Sequence, residues 1–450
     1  MARSDRRRWP WLVWAALSLA LAGYLAARLL GPDKTVFLPG ATTSGHHQIE
    51  LVCGVCHQDA FGGGPVLQDA CINCHGAELA AADDSHPQAK FTDPRNADRL
   101  RDIDARQCIA CHVEHRPDIT GAMGVTLPVD FCISCHAGVG EERPTHAGLD
   151  HMTCQTAGCH NFHDNRALYE DFLLRHVGEA PVRATPRRPQ PVLPVAGDDL
   201  NALRLAQLDA PADRAQDAAI TADWAHSAHA RGGVNCTACH APAGEPWQDR
   251  PGTAVCAECH QPQVQGFLAG KHGMRLAQDL PAMTPAQARL PMHAAAAHSE
   301  LSCASCHRPH AYDTARAAVQ ACLSCHDDSH TRAYEGSPHH RLWLAEQAGE
   351  APPGSGVSCA SCHMPLRTHT DAQGKRTHTE HNQNATLRPN EKMLRPVCLN
   401  CHGLPFALDA LADPALIERN FRGQPAQHVR SVEMAQENLE RDRRRRAAEQ

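Results

Sequence analysis

Every one of the 22 cysteines in this 450-residue chain sits in a paired motif that closes on a histidine. Ten motifs read C-x-x-C-H: Cys53/Cys56 with His57, Cys71/Cys74 with His75, Cys108/Cys111 with His112, Cys132/Cys135 with His136, Cys236/Cys239 with His240, Cys256/Cys259 with His260, Cys303/Cys306 with His307, Cys322/Cys325 with His326, Cys359/Cys362 with His363 and Cys398/Cys401 with His402. The fifth in chain order, Cys154/Cys159 with His160, has four residues between its cysteines and must bulge to serve the same purpose. Two thiols at this spacing add to the two vinyl groups of a haem, and the adjoining imidazole reaches the iron from one face. Eleven repeats with no orphan thiol predict about eleven covalent haem c groups, with the motif histidines as proximal ligands. Paired zinc ribbons need four ligands per metal and give no reason for a histidine after every second cysteine.

Each iron has a second face, and the histidine count bears on what fills it. The chain holds 32 histidines, so 21 lie outside the motifs, against nine methionines. That surplus makes bis-histidine ligation the expectation, with low-spin, low-potential irons. Candidate distal ligands are His46, His86, His115, His146, His151, His163, His229, His272, His298, His310, His330, His339 and His381. Several precede a motif by a few residues; others, such as His115, His163, His310 and His330, follow one at once. A histidine three or four residues after a proximal one lies on the same side of that porphyrin, so it is expected to ligate a neighbouring haem. Adjacent pairs such as His46/His47 and His339/His340 are expected to supply one ligand each.

The elements that position these residues read as mainly α with extensive loops, a multihaem cytochrome c architecture whose core is filled by haem. Only 19 residues are aromatic, few for a side-chain core in a chain this long. Five motifs fall in residues 41–180 and six in 224–422, separated by residues 181–223, where Pro181–Pro194 is rich in proline and arginine as an extended linker would be. Helices are expected over Arg166–Val177, Leu200–Ala219 and His339–Ala348, the last capped by Ser337 and Pro338 and closed by Gly349. Two more are expected over Pro405–Phe421 and Pro425–Ala448, the second including a basic C-terminal stretch (residues 423–450) that ends in Arg441–Arg446. That run reads as a solvated helix end, with docking on anionic lipid or an acidic partner as the alternative.

Residues 1–40 hold Arg3, Arg6, Arg7 and Arg8 before an apolar run from Trp9 to Leu30. At about 1.5 Å per residue the run spans a hydrocarbon core of about 30 Å, and the flanking arginines favour a cytoplasmic N-terminus. The expectation is a single transmembrane helix in a bacterial inner membrane with the haem modules in the periplasm; a cleaved signal peptide would export the chain to the same side. A formal net charge of −7 excludes the basic footprint of a nucleic-acid binder. Ionised propionates would take the oxidised holoprotein to roughly −18, favouring basic partner surfaces.

With its closely spaced motifs and interleaved histidines, the N-terminal module resembles small cytochromes of the c3/c7 type. The second module resembles the superfamily of pentahaem nitrite reductase and octahaem hydroxylamine oxidoreductase in GKHGMR (Gly270–Arg275), YEGSPHH (Tyr334–His340), CASCHMP (Cys359–Pro365) and THTEH (Thr377–His381). That resemblance implies His272, His339 or His340, and His378 or His381 as distal ligands. No motif here ends in lysine, so the C-x-x-C-K active-site haem of the pentahaem enzymes has no counterpart, and no catalytic residue carries over. The features together imply a membrane-anchored relay between a membrane or quinone-linked donor and redox partner proteins. The alternative is an oxidoreductase of a small nitrogen or sulfur species with one open haem.

Overall fold

The computed structural model describes residues 5–59, 63–82, 86–156, 158–164, 169–186, 188, 201–311, 313–371 and 374–450. Arg3, Ala157, Arg166, Leu200, Tyr312 and residues 189–194 therefore lie outside the description. The fold is mainly α: helices and single helical turns joined by loops, with one hairpin among the described residues. The elements used below are α1 (Asp5–Leu30), α2 (Gly63–Ala82), α3 (Glu170–Leu174), α4 (Thr253–Ala269), α5 (Pro338–Gln347), β1 (Leu366–Asp371), β2 (Gly374–Thr379), α6 (Leu404–Leu411) and α7 (Ser431–Ala448).

By contacts the chain forms two units, one of residues 5–75 and 103–127, the other of residues 76–102 and 128–450. This division is drawn elsewhere than at the proline- and arginine-rich stretch. Motifs 1 to 3 fall in the first unit and motifs 4 to 11 in the second.

In α1, Arg8–Leu30 has a mean hydropathy of 1.7 and none of it is buried, so it is long and apolar enough to cross a membrane; a signal sequence meets the same test. Elsewhere most C-x-x-C-H motifs form one helical turn. The histidine N–H bonds back to the first cysteine's carbonyl, at 2.8 Å in His57, 2.9 Å in His112 and His326, and 2.8 Å in His402. An i to i+4 bond places both sulfurs and the imidazole on one face of the turn. The sequence spacing and the chemistry of attachment thus meet in the backbone.

Side-chain packing is concentrated late in the second unit. Met393, Leu394, Leu404, Ala407, Leu408 and Leu411 of the α6 region cluster with Phe172 and Leu173 of α3 and with Val429, Val432 and Ala435, the last two from α7. Leu394, Leu404 and Leu408 are fully buried. Cys159, Cys362 and Cys398, from motifs 5, 10 and 11, pack against this cluster. Gly158 has φ +82°, and a Cβ there would lie 2.8 Å from Leu408 Cδ2, so the wide fifth motif turns through a left-handed glycine directly against α6.

Several sequence expectations need adjusting. The helix expected over Leu200–Ala219 is a short turn at Leu205–Gln207 followed by a helix only from Ala218 to Ala225, because Pro211 interrupts it and the Asp217 carboxylate caps the later start. α3 is shorter than Arg166–Val177. Pro405–Phe421 breaks into α6 and a turn at Pro414–Glu418. α5 begins as expected, with the Ser337 hydroxyl accepting from the His340 N–H. The β1–β2 hairpin pairs Leu366 with Thr379 and Arg367 with His378, a strand pair the sequence pattern did not suggest.

Candidate functional site

Among the described ring contacts, nine motif histidines each face one histidine from outside the motifs. In the first unit His75 faces His46, with ring centroids 5.9 Å apart. In the second, His136 faces His86 at 6.2 Å and His160 faces His146 at 6.1 Å. His240 faces His310 at 6.0 Å, His260 faces His229 at 6.2 Å and His307 faces His381 at 6.2 Å. His326 faces His272 at 6.2 Å, His363 faces His330 at 6.1 Å and His402 faces His339 at 6.3 Å. A coordinated imidazole nitrogen sits about 2.0–2.1 Å from its metal and about 1.1 Å from its own ring centre, so one metal between two imidazoles sets the centres about 6.2 Å apart. The nine spacings fit a single iron in each gap.

The remote nitrogens of these rings are tied down. The Nδ1–H of His86 donates to the Phe162 carbonyl at 2.7 Å, that of His229 to Pro309 at 3.2 Å and that of His330 to Ile417 at 2.5 Å. His381 bonds Thr379 at 2.9 Å, His240 bonds Gln248 at 2.6 Å and His402 bonds Pro181 at 2.9 Å, again to carbonyl oxygens. Such a bond fixes the tautomer and puts the lone pair on Nε2, the nitrogen that can bind a metal; at His330 that Nε2 lies 3.3 Å from Asn420 Nδ2. His46 uses a carboxylate instead: Nδ1 lies 2.6 Å from Glu114 Oε1. Burial pushes Glu114 up, but the bonds from His46 and Thr43 outweigh it and hold the carboxyl down at about 2. Burial also pushes His272, His339 and His363 down to about 4, keeping them in the neutral form that binds metals.

Local structure explains several placements. His310, three residues after His307, faces His240 of motif 6 and not its own motif; His330, four after His326, faces His363 of motif 10. Ser337 and Pro338 start α5 so that His339 enters the interior, whereas His340 packs on Tyr334 at 4.8 Å and its Nδ1 accepts the Gly336 N–H. On α4, a Cβ at Gly266 would come within 3.1 Å of the His381 backbone nitrogen, so the glycine admits the loop that carries His381. His378 sits within the hairpin.

The other four candidates are placed differently. His115 is held like the paired rings, its Nδ1 2.9 Å from the Gly40 carbonyl. His151 opens a short turn before motif 5, and His163 packs edge-on against Phe162 at 5.0 Å. His298 is exposed.

All 22 cysteines are free of disulfides. The thiols of Cys71 and Cys108, of Cys256 and Cys303, and of Cys322 and Cys359 are hydrogen-bonded in pairs, so attachment edges of successive motifs converge. Cys56, Cys74 and Cys259 are exposed, and the other cysteines are part-buried. Cys135 Sγ donates to the Arg99 carbonyl at 3.4 Å, and Cys325 Sγ lies 3.8 Å from the hydroxyl of its own neighbour Ser324. Cys74, Cys259 and Cys325 each lie near the second cysteine of an adjacent motif. Burial first pushes up the thiols of Cys56, Cys239 and Cys306, the last to about 11; the Glu114 charge and then Cys74 add to it at Cys56, and neighbouring thiols that include Cys259 and Cys325 add to it at Cys239 and Cys306. Among the described residues, no group of three or more His, Cys, Asp or Glu side chains converges as a zinc site requires.

A family model described as Cytochrome c3 matches residues 45–137 and 228–327. Each stretch contains four motifs. The chain is a multihaem c-type electron-transfer cytochrome. The second matched stretch lies within residues 224–422, so the c3 pattern occurs in both halves of the cytochrome. No curated protein and no solved structure gives a significant match. What sequence reasoning missed was the pairing itself, since its partners are joined only through the fold.

Proposed function

We propose that this cytochrome carries eleven covalent haems c, coordinates nine or more of them through two histidines, and serves as a membrane-anchored relay on the periplasmic face of a bacterial inner membrane. The observation that carries this reading is the set of nine imidazole pairs at 5.9–6.3 Å. Bound haem supplies one-electron chemistry. The chain's own residues do the rest. The cysteines of each motif anchor the ring, including Cys154 and Cys159 across the wide fifth gap and the exposed Cys56, Cys74 and Cys259. The motif histidines His57, His75, His112, His136, His160, His240, His260, His307, His326, His363 and His402 bind from one side. Opposite them stand His46, His86, His146, His229, His272, His310, His330, His339 and His381, and carbonyl or carboxylate partners orient many of these rings. His115, anchored in the same way, is a further ligand within the first unit.

Two protein ligands fill an iron's axial positions, which suits electron transfer and leaves no place for substrate. α1 supports the anchor, and redox partner proteins or a quinone-linked donor would complete the chain of transfer. The test is intact mass together with optical spectra of the full-length, haem-loaded protein before and after adding nitrite, hydroxylamine or sulfite. Eleven haems and unchanged low-spin spectra are expected. A high-spin component that responds to one of these molecules would place the open-haem oxidoreductase first.

A further inference from the structure

We propose that residues 179–186 and Arg188, at the start of the stretch that reads as a linker, form a strap that tunes motifs 10 and 11, with Arg188 raising the reduction potential at motif 10. The inference rests on the reading that haem is attached at Cys359 and Cys362.

The contacts are to the motifs themselves. One Arg188 amino group donates to Ser361 Oγ at 2.9 Å, between the two cysteines of motif 10. The other donates to the carbonyls of Gly354, at 3.3 Å, and Gly356, in the loop leading into that motif. Five residues earlier, the Arg183 N–H donates to the Cys401 carbonyl at 2.8 Å, and its Nε to the carbonyls of Leu399 at 3.0 Å and His402 at 3.3 Å. Val182 forms a β-bridge with His402, and Pro181 accepts from that histidine's ring. A spacer with no other duty has no reason to satisfy the backbone of two attachment motifs.

The two arginines differ in charge balance. Arg183 is paired with Glu179 at 2.8 Å, and Glu179 also accepts the Leu404 N–H at 3.0 Å and lies 2.9 Å from His176 Nδ1. Arg188 is part-buried and has no carboxylate among the described ion pairs; the Glu346 carboxylate accepts the N–H groups of Gly354 and Gly356, whose carbonyls Arg188 meets. A cation with no carboxylate bonded to it in a partly desolvated setting favours the reduced, less positive iron, because the low dielectric strengthens its field.

The experiment is a potentiometric titration of full-length, haem-loaded R188Q, R188K and E179Q, each with its haem count from intact mass. R188Q should move one or two of the titrating components to lower potential and leave the others in place. R188K should restore them, and E179Q, which leaves Arg183 unbalanced, should move a component upward. Unmoved components in R188Q and E179Q with every haem present would overturn the proposal. If R188Q loses a haem, E179Q decides alone by the sign of its shift. A wild-type protein with no haem at Cys359 and Cys362 would instead overturn the functional reading beneath it.

Discussion

The stretch holding the first five motifs and the stretch around α6 solve the problem of an interior in different ways. Across residues 45–164 the only buried apolar side chains among the described residues are Ala70 and Ala82. Between Met393 and Ala435 the chain buries leucines, valines and alanines in one continuous cluster with Phe172 and Leu173. The early motifs have almost nothing of their own to exclude water with, so their order has to come from the haem and its ligands. The late motifs are mounted on a side-chain core that burial alone stabilises.

The largest contrast should appear when haem is withheld. In hydrogen exchange on the haem-free chain, backbone amides across residues 45–137 should exchange near the rate of an unfolded peptide while those across 393–435 stay protected. Equal protection in both would erase the distinction.

Core truncation sharpens it further. Leu404→Ala or Leu408→Ala should cost about 2–5 kcal/mol in stability. Ile119→Ala, at a side chain 45% exposed, should stay within about 0.5 kcal/mol. Denaturant titration of the loaded protein checks both, and a comparable loss at Ile119 would mean the early stretch has a core of its own.

A smaller effect comes from Glu391, at the edge of the late core. Burial raises its carboxyl from an ordinary value of 4.5 to about 7, and the charge of Asp164 adds to the shift. Between those two values the folded chain holds a proton that the unfolded chain has released. Stability from this group is therefore complete below about pH 4.5, falls as pH rises towards 7 and levels off above it, by at most about 3 kcal/mol. Glu391→Gln should flatten that slope; an unchanged slope would place its origin elsewhere.

How much of this was legible in the sequence follows from distance along the chain. The attachment motifs are local: two cysteines and a histidine within one helical turn, so their spacing states their chemistry. Which thiol of a motif meets a neighbour and which stays outside, as Cys71 and Cys74 do, depends on how motifs pack and has no local signature. The pairing is not local either. His307 meets His381 and His339 meets His402 across more than sixty residues, and nothing in the spacing distinguishes His339 from His340 until α5 turns one inward and the other towards Tyr334. The β1–β2 hairpin was hidden because Arg367, Thr368, Lys375 and Thr377 give no apolar alternation. The strap was visible as a proline- and arginine-rich run, but its hydrogen bonds go largely to backbone carbonyls, which carry no side-chain signature.

The central claim is that these particular histidines face each other across iron, and their ring planes supply its most direct test. The planes of His240 and His310 lie 7° apart and those of His146 and His160 27° apart, whereas His86 and His136 cross at 82° and His330 and His363 at 77°. Parallel imidazoles split the iron dπ orbitals and crossed ones leave them nearly degenerate, so the two arrangements differ in electron paramagnetic resonance. The air-oxidised, fully loaded protein should show both a rhombic low-spin class and a strongly anisotropic one, and His330→Ala should remove intensity only from the second. A single rhombic class, or loss from the rhombic class on that substitution, would contradict the pairing.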